Sequence, residues 1–369
     1  MILTIIVLVL GENSLPIKLR TVLYFLFSLI FSFVFAIRDL KSPDTAEYVS
    51  VFNRAVPSDG LFSKIDRFEW GYSALNRIIK IIGCNYQVLF FAVSIISFLL
   101  MFSVIKNYCN TKIGETDEKM NLPLSFLLVY IAYYGLLYNS IVMRGSLAIG
   151  LIYFSVVLVN KKKLILAIGL FALALSFHQT AILSLPIMFI SFFNIKLSKK
   201  TGMKIIVIFL LLYIVGIGNI SIKYMFDIIQ FLYNKFPNVS LFWWSYLSLS
   251  GKNVATAGIS FYRLFCFGIL IILLKVDDGK KEMNQHILVS IIGIIILTLF
   301  GNLEIIIRLA EYYMISMCFA IYECGINISQ SVRIRLLKDK VLIMRRQTFV
   351  VIVSCLFYYA FLRNVVFVK

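Results

Sequence analysis

Five residues that can bind anions or move protons stand in largely apolar or aromatic surroundings, spread over the chain. Arg144 lies in YNSIVMRGSLAIG, His178 in SFHQTAILSLP and Arg308 in GNLEIIIRLAEYYMIS. Asp44 and Glu69 lie in SPDTAEY and RFEWGY. Two arginines can hold a phosphate or diphosphate, and a carboxylate can remove a proton from a hydroxyl. If the fold brings these five residues together, they suit transfer chemistry on a phosphate ester.

Each of these residues also has a purely structural interpretation. Arg144 can snorkel to the membrane surface, although its small neighbours suit close packing inside a helix bundle. His178 can be hydrogen-bonded to backbone at a helix break. Asp44 can be a solvated loop carboxylate, with Thr45 capping a short helix that begins near Ala46.

Arg308 lies one turn into its helix, between two carboxylates. Glu304 precedes it by four residues and Glu311 follows it by three, so a self-contained ion pair along one helix also fits. Tyr312 lies four residues after Arg308 and therefore shares its face.

The elements that must position these residues are membrane helices. The chain has 369 residues, of which 61% are apolar and only 15% charged, with a mean hydropathy of +0.92. Soluble domains contain about 25% charged residues. Many apolar runs approach the ~20 residues that a bilayer requires, and they lack the alternation of barrel strands. We therefore predict an all-α polytopic integral membrane protein with a single transmembrane domain over residues 1–369.

The apolar runs predict about 11–12 transmembrane or re-entrant helices. They lie at residues 2–10, 21–37, 86–105, 123–140, 143–159, 164–177, 179–194, 203–219, 259–275, 286–302, 305–323 and 347–367. The first run is short for a span. The runs flanking His178 are also short, so 164–194 fits a re-entrant hairpin as well as two crossings.

Basic residues set the orientation. The net charge is +18, and more than half of the Lys and Arg residues fall in one alternating set of loops, which indicates topology rather than nucleic-acid binding. The short loops containing NKKK and KLSKK therefore face the cytoplasm. Residues 38–85 and 221–258 are then extracytoplasmic segments with interfacial helices, and the five residues above all lie toward the outer half.

Aromatic residues concentrate in the two outer segments. All three tryptophans, Trp70, Trp243 and Trp244, fall there. They can form an aromatic belt at headgroup level, or a stacking surface for sugars. Residues 72–82 have an amphipathic pattern that suits a helix lying in the interface.

No cofactor or metal site is readable. The six cysteines are scattered and lack a CxxC pair, so they indicate neither a disulfide framework nor a zinc site. The start MILTIIVLVLGENS lacks the basic region and cleavage site of a cleavable signal. We expect chemistry without cofactor or metal.

Five short motifs follow one another along the chain. They are R-x5-DT-x2-Y (Arg38, Asp44, Thr45, Tyr48), E-x-GY-x2-LN (Glu69, Gly71, Tyr72, Leu75, Asn76), Arg144 opening a helix of small residues, FH-x2-A-x4-P (Phe177, His178, Ala181, Pro186) and R-x3-YY (Arg308, Tyr312, Tyr313). In this order the chain resembles the EpsG family of bacterial polysaccharide polymerases, which includes Wzy-type O-antigen and capsule polymerases. The resemblance covers about residues 20–320. One departure is Gly145, where the family usually has Gln after the arginine; Gln179 is a candidate replacement.

The resemblance implies a glycosyltransferase of GT-C-like architecture in the bacterial cytoplasmic (inner) membrane, with its site facing the periplasm or cell exterior. Its donor and acceptor would be undecaprenyl-pyrophosphate-linked oligosaccharides. Membrane lipids and a chain-length-regulating co-polymerase are the other expected partners, and nucleic acid is not.

Residue roles follow from this reading. Arg144 and Arg308 hold the departing pyrophosphate. Asp44, or failing that Glu69, is the base for the acceptor hydroxyl, and His178 hydrogen-bonds phosphate or sugar or shares the base role. Substrate-binding positions are Arg38, Tyr48, Tyr72, Asn76, Gln179, Tyr312, Trp243 and Trp244.

Other functions compete with this one. A transferase that uses a polyprenyl-phosphate monosaccharide donor would use the same arginines. A transporter or flippase of lipid-linked sugars would also bury arginines, but the chain lacks the matching halves typical of such carriers. A non-catalytic scaffold would leave the buried charges unexplained.

Overall fold

The computed structural model describes most of the chain, in two compact units. It covers residues 2–41, 44–113, 123–235, 259–276, 281–326, 331–337 and 340–366. The first unit comprises Met1–Ile195, Ile321–Ser331 and Met344–Tyr358, and the second Lys196–Ala320, Val332–Ile343 and Tyr359–Lys369. The predicted single transmembrane domain over residues 1–369 stays a prediction.

Ten α-helices are described in the first 195 residues. They are α1 Ile2–Leu10, α2 Ile17–Ala36, α3 Thr45–Arg54, α4 Trp70–Ile81, α5 Tyr86–Ile113, α6 Pro123–Tyr130, α7 Leu136–Ser140, α8 Met143–Asn160, α9 Leu164–Phe177 and α10 Leu185–Phe192. Short 3₁₀ segments cover Glu12–Ser14 and Gln179–Ser184, and a π-helical segment covers Ile131–Gly135.

Three of these helices have the length and apolar composition of a membrane span, namely α2, the Tyr86–Asn107 part of α5, and α8. A bent pair in the second unit raises the number to four at most, and four shorter apolar helices accompany them in the described residues. The 11–12 predicted helices include re-entrant ones, and the described residues contain fewer helices of full span length than apolar runs. The physical reason is that apolar runs continuous in sequence are interrupted in the backbone.

Two interruptions illustrate this. The run 123–140 contains the π-helical turn between α6 and α7, a rare geometry that shifts the register of a helix. The run 164–194 breaks at His178, whose backbone is extended (φ −155°, ψ 112°). The 3₁₀ turn and α10 follow, so neither side of the break is a full-length span.

α8 is the most enclosed of the candidate spans. It packs against α5 and α9, while α2 packs on α5. Its small residues allow this, since a Cβ at Gly150 would lie 2.9 Å from a methyl carbon of Leu100 on α5. The core of this unit is therefore built by helices that approach each other closely.

α4 buries polar side chains together with apolar ones. Asn76 and Arg77 are 0% and 1% exposed, whereas Ile78 and Ile82 are 41% and 66% exposed. Arg77 donates 2.6 Å to the carbonyl of Ser63, which ties the preceding loop to the helix. The sequence predicted the amphipathic helix, and polar as well as apolar side chains of this helix enter the protein.

The remaining elements begin at residue 199. They are α11 Lys199–Val215, α12 Ile217–Lys235, α13 Phe261–Lys275, α14 Gln285–Phe300, α15 Glu304–Met314, α16 Ser316–Ile326, β1 Ser331–Leu337, β2 Lys340–Arg345 and α17 Arg346–Val366. Gly216, at φ 81°, allows an 82° bend between α11 and α12. In the second unit, Ile222 of α12 packs with Leu303 just before α15. β1 and β2 form a two-stranded sheet. The other named elements of the described residues are helices, in agreement with the predicted helical class.

Candidate functional site

The Glu69 carboxylate joins three segments of the first unit. Its Oε2 accepts a hydrogen bond of 2.5 Å from Nη1 of Arg144 at the start of α8. Its Oε1 accepts one of 3.0 Å from the backbone N–H of Gln179 and lies 3.4 Å from Nδ1 of His178. The structure therefore brings together four residues that sequence reasoning selected independently.

A close contact between α4 and α9 allows the Glu69 carboxylate to reach His178 and Gln179. Gly71 lies in the first turn of α4, two residues after Glu69, and faces the last turn of α9. A Cβ there would lie 2.8 Å from the backbone carbonyl oxygen of Ser176. Only glycine permits this approach without a shift of backbone, which gives the E-x-GY motif a physical basis.

Glu69 is held in its charged form. Its side chain is 7% exposed, and this burial by itself raises its pKa. The hydrogen bond to His178, the charge of Arg144 and the N–H of Gln179 outweigh burial and lower the pKa to about 2. Because both oxygens are engaged and the carboxylate is a weak base, Glu69 is suited to positioning Arg144 and His178 rather than to proton abstraction.

Aromatic rings surround the Arg144 guanidinium. Its carbon lies 4.2 Å from the ring centroid of Phe68, a cation–π contact. The Tyr48 side chain also hydrogen-bonds Arg144. Tyr48 and Tyr72 pack edge to face at 5.7 Å. Burial, followed by the neighbouring Tyr48, raises the pKa of Tyr72, so this hydroxyl remains neutral.

Arg38 and Asp44 lie beside this cluster. Arg38 follows α2, and its Nε donates 3.0 Å to Oγ1 of Thr45. Asp44 is the N-cap residue of α3, so the expectation that Thr45 caps this helix is wrong. Asp44 adopts φ 60°, a left-handed conformation uncommon outside glycine, and interacts electrostatically with Arg38. This places a carboxylate at the edge of the arginine–tyrosine cluster.

Other predicted site residues fall elsewhere. Asn76 is fully buried and its Nδ2 donates 2.7 Å to the carbonyl of Tyr72, a role internal to α4. Arg308 and the buried Tyr312 lie on α15 in the second unit. Trp243 and Trp244 lie outside the described residues.

Sequence reasoning missed several supporting residues. Phe68 and Phe90 underlie Arg144 and Arg38, the latter at 4.1 Å. Lys80 of α4 donates 2.7 Å to the carbonyls of Asn53 and Ala55, and so ties the end of α3 to α4. Phe68 stands directly before Glu69 in RFEWGY, so this motif could have indicated it as a site residue. No sequence motif marks Phe90 or Lys80.

The charged residues share one end of their helices. Arg38 follows the C-terminus of α2, Arg144 lies at the N-terminus of α8, and His178 ends α9. The basic turn 161–163 joins the opposite ends of α8 and α9. No group of three metal-ligating side chains occurs within the described ranges, and metal-free chemistry stays a prediction.

These features define a helical membrane protein with a buried, charged cluster at one end of its helix bundle. The model of the EpsG family matches residues 21–367, nearly the whole chain. The chain belongs to the EpsG family, which is similar to Wzy-type polysaccharide polymerases, so the family indicated by the motifs is confirmed. Comparisons with curated proteins and with solved structures gave no match.

Proposed function

We propose that this protein joins oligosaccharide repeat units carried on undecaprenyl pyrophosphate into O-antigen, capsule or exopolysaccharide. The reaction takes place at the outer face of the bacterial cytoplasmic membrane, in a GT-C-like glycosyltransferase. Family membership supports polysaccharide synthesis, and the cluster around Glu69 carries the proposal for this chain. It combines two arginines, a histidine and a second carboxylate in one unit.

In the proposed reaction the growing chain is the donor. An acceptor hydroxyl oxygen attacks the anomeric carbon and forms the new glycosidic bond. The bond between that carbon and the pyrophosphate oxygen breaks, and its electron pair leaves with the lipid pyrophosphate. The hydroxyl proton passes to a carboxylate. Each step needs only acid–base and electrostatic assistance.

Asp44 is the better candidate for the base, because Glu69 is committed to Arg144, His178 and Gln179. Arg144 stabilises the charge that develops on the departing pyrophosphate. His178 hydrogen-bonds phosphate or sugar. The predicted role of Arg308 on the same pyrophosphate stays a prediction, because Arg308 belongs to the second unit.

The function is tested with purified protein and a single lipid-linked repeat unit. A ladder of longer lipid-linked products supports the proposal. Product that forms only when a polyprenyl-phosphate monosaccharide is added would instead support the alternative transferase. Transbilayer movement of the lipid without a ladder would support a transporter.

The base is tested in a strain that lacks the gene and shows a single-repeat band on a polysaccharide gel. Asp44→Asn is expected to leave that band at normal expression, because an amide cannot accept the proton. Asp39→Asn is the matched control, because Asp39 is an exposed carboxylate five residues earlier and its Oδ1 accepts a hydrogen bond from the backbone N–H of Lys41. A full ladder with Asp44→Asn would exclude Asp44 as the base.

A further inference from the structure

Arg38 is a half-buried cation, and its direct contacts in the described part of the chain are with neutral groups. Its Nε contacts Thr45, its Nη1 lies 3.4 Å from the carbonyl oxygen of Asn139, and its guanidinium lies over Phe90. Its Nη2 lies 3.2 Å from the sulfur of Met143. Burial lowers its pKa to about 10, against the opposing influence of the tyrosines and Asp44, so the group remains charged at neutral pH.

No carboxylate in the described part of the chain lies within ion-pairing distance of Arg38. Arg144 differs, because Glu69 pairs with it at 2.5 Å. Asp44 acts on Arg38 only through the longer-range electrostatic interaction. A cation removed from water and left without a close counter-charge is unfavourable, and near a membrane such a group usually faces a partner or a cavity. Arg38 therefore has capacity for an anion that this unit does not fill.

Arg38 and Arg144 are linked through the same two tyrosines. Tyr48 interacts electrostatically with both guanidinium groups, and so does Tyr72. Arg144 also keeps unused capacity, since its Nε is buried without a hydrogen-bond partner among the described residues. Two guanidinium groups with unused donors therefore converge on one aromatic pair.

We propose that Arg38 and Arg144 form a diphosphate-binding pair, in which Arg38 supplies the uncompensated charge and Glu69 fixes the orientation of Arg144. The identity of the lipid diphosphate rests on the proposed function, whereas the anion pair rests on these contacts. A planar guanidinium binds two phosphate oxygens at once, so two such groups suit the adjoining phosphates of a diphosphate.

The test uses the unmodified, detergent-solubilised full chain and inorganic pyrophosphate as the probe. Arginines are modified with phenylglyoxal and quantified by mass spectrometry. Pyrophosphate is expected to slow modification of Arg38 and Arg144 together. Arg54 is the internal control, because it is exposed and paired with Asp66 at 2.7 Å, and its rate should not change. Equal modification of Arg38 with and without pyrophosphate would overturn the proposal.

Sulfate and inorganic phosphate at equal concentration define the ligand class. Weaker protection by both supports a diphosphate site, and equal protection contradicts it. Binding of pyrophosphate to variants gives a second measurement. Arg38→Gln should weaken it by roughly tenfold or more, as expected for one lost charge-assisted contact, and Arg38→Lys should weaken it less. Arg54→Gln should bind as the wild type does, and unchanged binding by Arg38→Gln would contradict the proposal.

The outcome separates this inference from the proposed function. Protection of Arg38 in a protein that forms no ladder from a lipid-linked repeat unit leaves the diphosphate pair standing and removes the polymerase function. Ladder formation without protection of Arg38 removes the pair and leaves the function.

Discussion

At the scale of single residues, the Glu69 carboxylate organises the site. The sequence correctly indicated that Glu69, Arg144, His178 and Gln179 lie toward one side, because charge bias and helix spacing fix sides. It could not show that Glu69 binds the other three, since the pairing of side chains depends on helix rotation and close approach. The sequence left open whether Asp44 or Glu69 is the base. Both oxygens of Glu69 accept hydrogen bonds, and this geometry favours Asp44.

We predict that Glu69→Gln destabilises the protein by about 3 kcal/mol, because it leaves the buried Arg144 guanidinium without its charge partner. The pKa of Glu69 is depressed from 4.5 to about 2. Its stabilising contribution is therefore complete above pH 4.5 and is lost as the pH falls through about 2. The midpoint temperature of thermal unfolding in detergent should therefore decrease more between about pH 5 and pH 3 for the wild type than for Glu69→Gln.

Glu47→Gln is the matched control for this comparison. Glu47 also pairs with an arginine, Arg67, but both side chains are exposed (39% and 71%). Exposed pairs contribute about 0–1 kcal/mol. If Glu47→Gln lost as much stability as Glu69→Gln, the Glu69–Arg144 pair would contribute no more to the free energy of unfolding than an exposed ion pair does.

At the scale of elements, the contact between α4 and α9 determines whether the site forms. The helical positions of both were predictable from apolar periodicity. The buried face of α4 was only partly predictable, because the polar Asn76 and Arg77 are buried beside its apolar residues. Arg77 donates to the carbonyl of Ser63 in the preceding loop, and Asn76 donates to the carbonyl of Tyr72 within the helix. Periodicity shows that a helix has two faces, but hydrogen-bonding partners elsewhere in the fold decide which face is buried.

We predict that Gly71→Ala displaces α4 from α9, because the new methyl group would meet the backbone of Ser176 at 2.8 Å. Overpacking of this kind costs about 1–3 kcal/mol. Polymer length on a gel and thermal stability should both fall, since the Glu69–Gln179 contact depends on this approach.

Gly169→Ala on α9 tests whether any added methyl group has this effect. Among the described residues, no atom outside the adjoining backbone of α9 lies within 4 Å of the Cβ position there. Alanine also favours the helix over glycine by about 1 kcal/mol. This variant should therefore retain the ladder and unfold at the same or a higher temperature, and equal defects in both variants would contradict the contact argument.

At the scale of the whole molecule, the sequence predicted the membrane class, most helix positions and the family. It did not separate full-length spans from shorter apolar helices, because hydropathy does not detect backbone breaks such as the extended His178 or the π-helical turn at Ile131–Gly135. It did not indicate the two short strands β1 and β2, since a short basic segment between hydrophobic runs resembles a loop. Composition therefore indicates whether a segment lies in lipid or in water, while local hydrogen bonding determines its backbone conformation.

Orientation is the prediction on which the outer-face reaction depends. The basic turn containing Lys162 and the site at His178 lie at opposite ends of α9, about 21 Å apart for its 14 residues. In a background with all six cysteines replaced, Lys162→Cys should react with an impermeant maleimide only in inside-out vesicles. Lys64→Cys, in the outer segment 38–85, should react in intact spheroplasts. Because the site lies at the end of α9 opposite the basic turn, the reverse labelling pattern would place it in the cytoplasm and contradict polymerisation at the outer face.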